Sequence, residues 1–230
     1  FALTGLQPNT RYYYRAVATN ATGRTTGSIR TFLTLRDVAG VSVKAARTLV
    51  AWGGSTVLTG VVTGGGIGGV QVRLMRQDFP YSSAPKEVAA MTTSDAGIYS
   101  FAVGPIKAGA KLWVQTRTTP FLSSKMVALR SKVRISFRTL KRTSRSSTVR
   151  AVVNPRITSA KASLQRRTSS GRWVTVKRPR LSHSKGGNLT TFTATIARRS
   201  KTERYRVVFD PNDKGAHVRA NSGSITVSRR

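Results

Sequence analysis

The sequence predicts an all-β protein made of tandem antiparallel β-sandwiches, strung one after another as beads on a string. Three observations predict it. Short runs alternate apolar and polar side chains with period two, as a strand with one buried face must. Turn residues (Gly, Pro, Asn, Asp) punctuate those runs every ~8–12 residues. Long runs with helical periodicity are missing, while Thr, Val, Ser and Gly dominate. The clearest stretch is 188–209, where Phe192, Ala194 and Ile196 alternate with Thr191, Thr193 and Thr195. After a charged break, Tyr205, Val207 and Phe209 alternate with Arg204, Arg206 and Val208. This reads as a hairpin of two half-buried strands joined by a basic turn, and Ile98 to Arg117 repeats it in other residues.

Taken in order, residues 1–35 read as three strands. Phe1 to Leu6 is short and ends in the turn Gln7-Pro8-Asn9-Thr10. Arg11 to Thr19 puts Tyr12, Tyr14, Ala16 and Ala18 on one face, Asn20 to Gly27 turns, and Ser28 to Leu35 follows. Residues 36–40 form a short linker. The next domain, 41–136, begins with Val41 to Ala45 and continues with Ser55 to Thr63, which Gly60 is expected to bend or bulge. Val70, Val72 and Leu74 then share a face, Val88 to Thr92 follows, and Tyr99, Phe101 and Val103 point inward. Leu112, Val114 and Thr116 line one face of the strand after Lys111, and Met126 to Arg130 closes the domain.

The last domain, 137–230, lines up with the one before it at a spacing of about 90–93 residues, pairing Val57 with Val149, Leu74 with Leu164, Phe101 with Phe192, Leu112 with Tyr205 and Val114 with Val207. A period that long suits tandem sandwiches rather than a solenoid.

Two resemblances add to this reading. Leu6-x-Pro8-x-Thr10-x-Tyr12, then Arg15 to Gly23 and Thr31-Phe32-x-Thr34, resembles the last three strands of a fibronectin type III module. That implies a tyrosine corner in which the Tyr12 hydroxyl bonds back to the chain at the strand entry. It also implies strands upstream of Phe1, so 1–35 alone is expected to pack poorly. The two following domains resemble the bacterial Ig-like repeats of secreted and cell-surface proteins. Thr92-Thr-Ser-Asp95-x-Gly97-x-Tyr99-x-Phe101 is similar to the strand–turn–strand of carboxypeptidase-regulatory-like domains, with Asp95 expected to bond the turn backbone ahead of Gly97. In the last domain Leu164-Gln-Arg, Gly171-x-Trp173-x-x-Val176 and Tyr205-Arg-Val207 carry the likeness. Together these imply an extracellular or cell-surface setting in a high-GC Gram-positive bacterium.

Charge is the extreme feature: 40 Lys and Arg stand against 7 Asp and Glu, a net +33. It is uneven, since 137–230 holds 23 basic and 3 acidic residues. Such a field attracts polyanions: cell-wall polymers, acidic polysaccharides, or nucleic acid without sequence preference. Arg outnumbers Lys 28 to 12, which a GC-rich genome supplies at tolerant surface positions. Other surface proteins and the neighbouring domains of the chain complete the expected partners. With no cysteine there is neither a disulfide nor a thiolate metal site. No apolar run approaches the ~18–20 residues that cross a bilayer.

Motifs for chemistry are sparse. Gly64-Gly-Gly66-Ile-Gly-Gly69 matches G-x-G-x-x-G, but a strand follows where a dinucleotide site needs a helix, so a hairpin loop is expected. His183 and His217 sit in polar loops, and Asp210-Pro-Asn-Asp213-Lys-Gly215 reads as a self-capping surface turn. No nucleophile–base–orienter set can be assembled, so no catalytic residue, metal or cofactor is expected. The candidate polyanion contacts are Arg198, Arg199, Lys201, Arg204 and Arg206, with Arg178 and Arg180 beside them. Trp113 and Trp173 fall out of phase with their strands' apolar faces and are the candidate aromatic contacts, each offering a π-face to a sugar or base. Function is thus expected to be non-catalytic spacing, presentation or adhesion. The alternative is a polyanion- or glycan-binding accessory module attached to an upstream secreted enzyme.

Overall fold

The computed structural model describes residues 2–183, 186–197 and 202–228. Among them there is no helix. The leading segment carries β1 (Arg11–Tyr14), β2 (Val17–Asn20), β3 (Gly23–Thr26) and β4 (Arg30–Leu33). The first sandwich follows with β5 (Asp37–Val41), β6 (Lys44–Ala45), β7 (Leu49–Ala51), β8 (Gly54–Gly65), β9 (Gln71–Asp78), β10 (Lys86–Thr92), β11 (Ile98–Ile106), β12 (Ala110–Thr116) and β13 (Val127–Lys132). The second holds β14 (Arg134–Arg142), β15 (Ser146–Asn154), β16 (Lys161–Arg167), β17 (Trp173–Lys177), β18 (Ser182–His183), β19 (Thr190–Ala197), β20 (Glu203–Asp210), β21 (His217–Val218), β22 (Ala220–Asn221) and β23 (Ile225–Val227).

In the leading segment β1 pairs with β4 and β2 with β3, both antiparallel. Gly27 N donates to the Ala16 carbonyl between the two pairs (2.8 Å). The stretch 11–19, expected as one strand, is therefore interrupted at Arg15–Ala16, and no strand forms over 2–10. Asn20 Oδ1 closes the tip by accepting from Thr22 N (3.0 Å) and Oγ1 (2.8 Å). Tyr12 and Tyr14 share a face with Phe32, at ring-centroid distances of 5.7 and 6.1 Å. Gln7 N donates to the Tyr12 hydroxyl (2.8 Å), the bond that the resemblance implied. Tyr13, Tyr14, Ile29, Leu33 and Leu35 are exposed.

Each sandwich closes one sheet on another. In the first, β8 lies between β11 and the short strands β5 and β6, facing a sheet ordered β10-β9-β12-β13. Leu58, Val62, Tyr99, Phe101 and Val103 meet Val72, Leu74, Leu112, Val114 and Leu129 in one buried cluster. In the second, β14-β15-β19-β18 faces β17-β16-β20, with β22 and β23 both pairing with β20. Its cluster joins Val149, Ala151, Val153, Phe192 and Ala194 to Leu164, Tyr205, Val207 and Phe209. Fully burying one such side chain is worth roughly 1.5–3 kcal/mol.

The inward faces lie where alternation put them, but the partners differ. β19 pairs with β15 and β20 with β16, so 190–210 crosses from one sheet to the other and is not a hairpin. β11 and β12 do the same, and so do β8 and β9, so Gly64–Gly69 spans the two sheets too. An arch and a hairpin leave the same side-chain alternation, which fixes the face of a strand but not its neighbour. β8 also runs past Gly60 without a bulge, in register with Tyr99. Asp37–Val41, expected mostly as linker, is a strand on β8. Val57 is exposed, and cross-strand pairing makes Thr56 the counterpart of Val149, opposite Val103 and Ala194 respectively. The other sheet repeats its register: Leu74 faces Val114 and Arg76 faces Leu112, as Leu164 faces Val207 and Arg166 faces Tyr205. At the 93–98 turn Ser94, not Asp95, caps the backbone, accepting at Oγ from Ile98 N (3.1 Å), while Gly97 takes φ +73°.

Both junctions are bonded. Arg36 sends its guanidinium to the carbonyls of Gly66, Gly68 (2.6 Å) and Gly69 (3.3 Å), so the glycine run is a docking surface for the leading segment. A Cβ on Gly65 would lie 2.6 Å from Pro8 Cγ, which explains why that residue is small. At the far end β21 pairs parallel with β13, matching Ser131 to His217 and Lys132 to Val218. Gly109 N donates to the Ala216 carbonyl (3.0 Å). His217 Nδ1 lies 2.6 Å from Asp213 Oδ2 and Nε2 2.8 Å from the Lys107 carbonyl oxygen, so each ring nitrogen faces an acceptor. The 210–215 turn is capped as expected, but it is also a clasp between sandwiches.

Candidate functional site

The outer face of the β17-β16-β20 sheet gathers the chemistry. Because Ala162 and Leu164 point inward, Lys161, Ser163, Gln165 and Arg167 point out. On β20 the same logic sends Arg204, Arg206, Val208 and Asp210 outward, away from Tyr205, Val207 and Phe209. Register sets Lys161 opposite Asp210, Ser163 opposite Val208, and Gln165 opposite Arg206. Trp173 sits across from Arg167 on β17.

Arg206 is held on this face from two sides. Its Nε donates to Gln165 Oε1 (2.9 Å), and its guanidinium lies over the Trp173 ring, 4.4 Å from the centroid. A cation over an indole face is stabilised by the ring quadrupole. Burial lowers the Arg206 pKa from its ordinary value, and the nearby Arg219 charge lowers it further.

Beside it lies a cleft of about 470 Å³. β17 ends at Lys177, and Pro179 has no N–H with which to continue the pairing. The chain then crosses to β18 in the other sheet, bringing Arg178 and His183 over Lys161, Ser163, Asp210 and Arg219. Val208 lines the same cleft and is buried although it is on the outer face.

The candidate residues are distributed as follows. Arg206 and Trp173 form the stacked pair, and Arg178 lines the cleft. Arg180 is exposed in the same crossover. Arg204 is exposed at the other end of β20, in a second cleft with Arg166 and Arg167, where Arg166 Nη1 pairs with Glu203 (2.7 Å). Arg198, Arg199 and Lys201 lie outside the described residues. Trp113 is half-buried on the outer face of the first sandwich, across from Met75. Charge there is partly offset, because Glu87 pairs with both Arg117 (2.6 Å) and Arg73 (3.8 Å). Trp113 and Met75 occupy the positions that Arg206 and Gln165 hold in the second sandwich. Sequence reasoning missed Lys161, Arg219 and Asp210. Alternation on β16 could have marked Lys161 as outward, but nothing local brings Arg219 to it.

No protein-family model matches the sequence, and no curated protein is similar to it. Among solved structures, a marsupial T cell receptor is 10% identical, covering 90% of this chain and 68% of its own, with a TM-score of 0.38. A second marsupial T cell receptor chain is 9% identical over 82% of this chain and 100% of its own, with a TM-score of 0.32. The strand pairing itself defines the all-β sandwich fold.

Proposed function

We propose that this chain is a non-catalytic structural arm that holds successive sandwiches in fixed relation, as part of an extracellular or cell-surface protein. The observation that carries it is the clasp of the second sandwich on the first, through β13–β21 pairing, Gly109 to Ala216, and His217 to Lys107. A passive tether would have no need of backbone pairing across the junction. The bonds of Arg36 to the glycine run support the same role at the other end. On this reading the domains expected at 41–136 and 137–230 are the two sandwich units, with β5 from Asp37 joining the first and β14 from Arg134 opening the second, and 1–35 is part of a further module. The resemblance to fibronectin type III and bacterial Ig-like repeats supports the extracellular bacterial setting.

The test is ¹⁵N relaxation of the whole chain. Residues of both sandwiches should share one rotational correlation time. In His217→Ala, or in Gly109→Pro, which deletes the donor to Ala216, the sandwiches should tumble faster and separately while each keeps its amide spectrum. Independent tumbling in the unaltered protein would overturn the reading.

A further inference from the structure

We propose that the cleft between the 178–183 crossover and the outer face of β16 and β20 binds an acidic polysaccharide, reading its sugar hydroxyls and its carboxylate or sulfate groups together. This goes beyond the structural arm, since a stiff arm needs no ligand.

Three separate segments deliver cations to the cleft: Lys161 from β16, Arg178 from the crossover, and Arg219 from the turn between β21 and β22. None of the three takes part in the ion pairs found among the described residues. The Arg206 charge, disfavoured by burial first and by Arg219 second, adds to the positive field at the cleft, and a bound anion would relieve that repulsion. The cleft is within the size range of small-molecule and saccharide sites.

Its remaining polar groups choose among anions. Asp210 shares the lining, directly across from Lys161. A carboxylate only accepts hydrogen bonds, so it offers a partner to sugar hydroxyls while the surrounding cations take the acidic groups of the chain. The hydroxyls of Ser163 and Thr158 offer further partners to such a ring. Single-stranded nucleic acid, by contrast, is held by successive aromatic platforms. Here Trp173 already carries the Arg206 guanidinium on its ring, while Tyr205 and Phe209 point into the core.

The experiment is calorimetric titration of the whole chain with a heparin hexasaccharide at fixed salt. Arg178→Ala/Arg219→Ala is compared with Arg134→Ala/Arg138→Ala, which removes equal charge from exposed positions on β14. The cleft variant should lose about 10-fold or more in affinity, the scale of one charged contact, and the control less than about 3-fold. Lys161→Ala should shift in the same direction, which keeps the test decisive if the double variant fails to fold. Asp210→Ala should weaken hexasaccharide binding, because a hydroxyl partner is lost. Equal losses in cleft and control variants, or no binding at all, would reduce the site to a diffuse field and overturn the proposal. Tighter binding by Asp210→Ala would overturn the hydroxyl readout. If an oligodeoxythymidylate of equal charge binds as tightly with the same cleft dependence, the site is one for nucleic acid instead.

Discussion

Replacing Gly60 with alanine puts a methyl group where the Tyr99 ring crosses β8. Tyr99 is buried, and its hydroxyl donates to the Ser42 carbonyl, passing over Gly60 to reach it. A Cβ at Gly60 would lie 2.5 Å from Tyr99 Cζ and closer still to the hydroxyl and to the Ser42 oxygen. Neither neighbour can yield cheaply, because one is backbone and the other a ring packed against Phe101, 5.8 Å away. Overpacking costs about 1–3 kcal/mol, and a buried hydroxyl left without its acceptor costs about 1–3 kcal/mol more. Against this, alanine recovers roughly 0.5–1 kcal/mol of strand entropy. The net loss should be about 3 kcal/mol. With a urea dependence of about 1.5 kcal/mol per molar, the midpoint of the first sandwich should fall by about 2 M. Fluorescence in a Trp173→Phe background follows that sandwich alone, through Trp52 and Trp113. Tyr99→Phe should cost only about 1 kcal/mol, since it deletes the bond without crowding the core. A Gly60→Ala protein within about 0.5 kcal/mol of its parent would show that the glycine does not make room for the tyrosine.

Burial raises the Tyr99 pKa above its ordinary value, so the folded protein keeps this phenol neutral where the unfolded chain ionises it. Its contribution to stability is complete below pH ~10 and is lost above that, at up to about 1.4 kcal/mol per pH unit. Urea midpoints of the parent should therefore fall more steeply between pH 9 and 11 than those of Tyr99→Phe, and parallel curves would refute it. In the second sandwich, Ser147 Oγ is buried and finds no hydrogen-bond partner among the described residues. Ser147→Ala should raise stability by about 1 kcal/mol, followed through Trp173; a clear loss would mean that the hydroxyl is bonded.

Much of the core could be read from the chain. Tyr99, Phe101, Leu112 and Val114, and their counterparts Phe192, Tyr205 and Val207, stand on the inward faces that alternation assigned. The Tyr12 bond followed from a local motif of a few residues. Of the candidate site, Arg206, Arg178 and Trp173 were each legible as outward or exposed residues. That Arg206 lies over Trp173 was not, because 33 positions separate them and only the placement of β20 and β17 on either side of β16 joins them.

By itself, then, the sequence determined which side of each strand is buried, since a strict period of two leaves a side chain one of two faces. It also determined that the chain repeats a sandwich and carries most of its net charge in the second copy. Strand partners, the crossing of 190–210 between sheets, the clasp at His217, and the convergence of Lys161, Arg178 and Arg219 were decided by the tertiary structure alone. Those features depend on contacts between segments far apart in the chain, and no local pattern of apolar and polar residues encodes which distant segment will stand alongside.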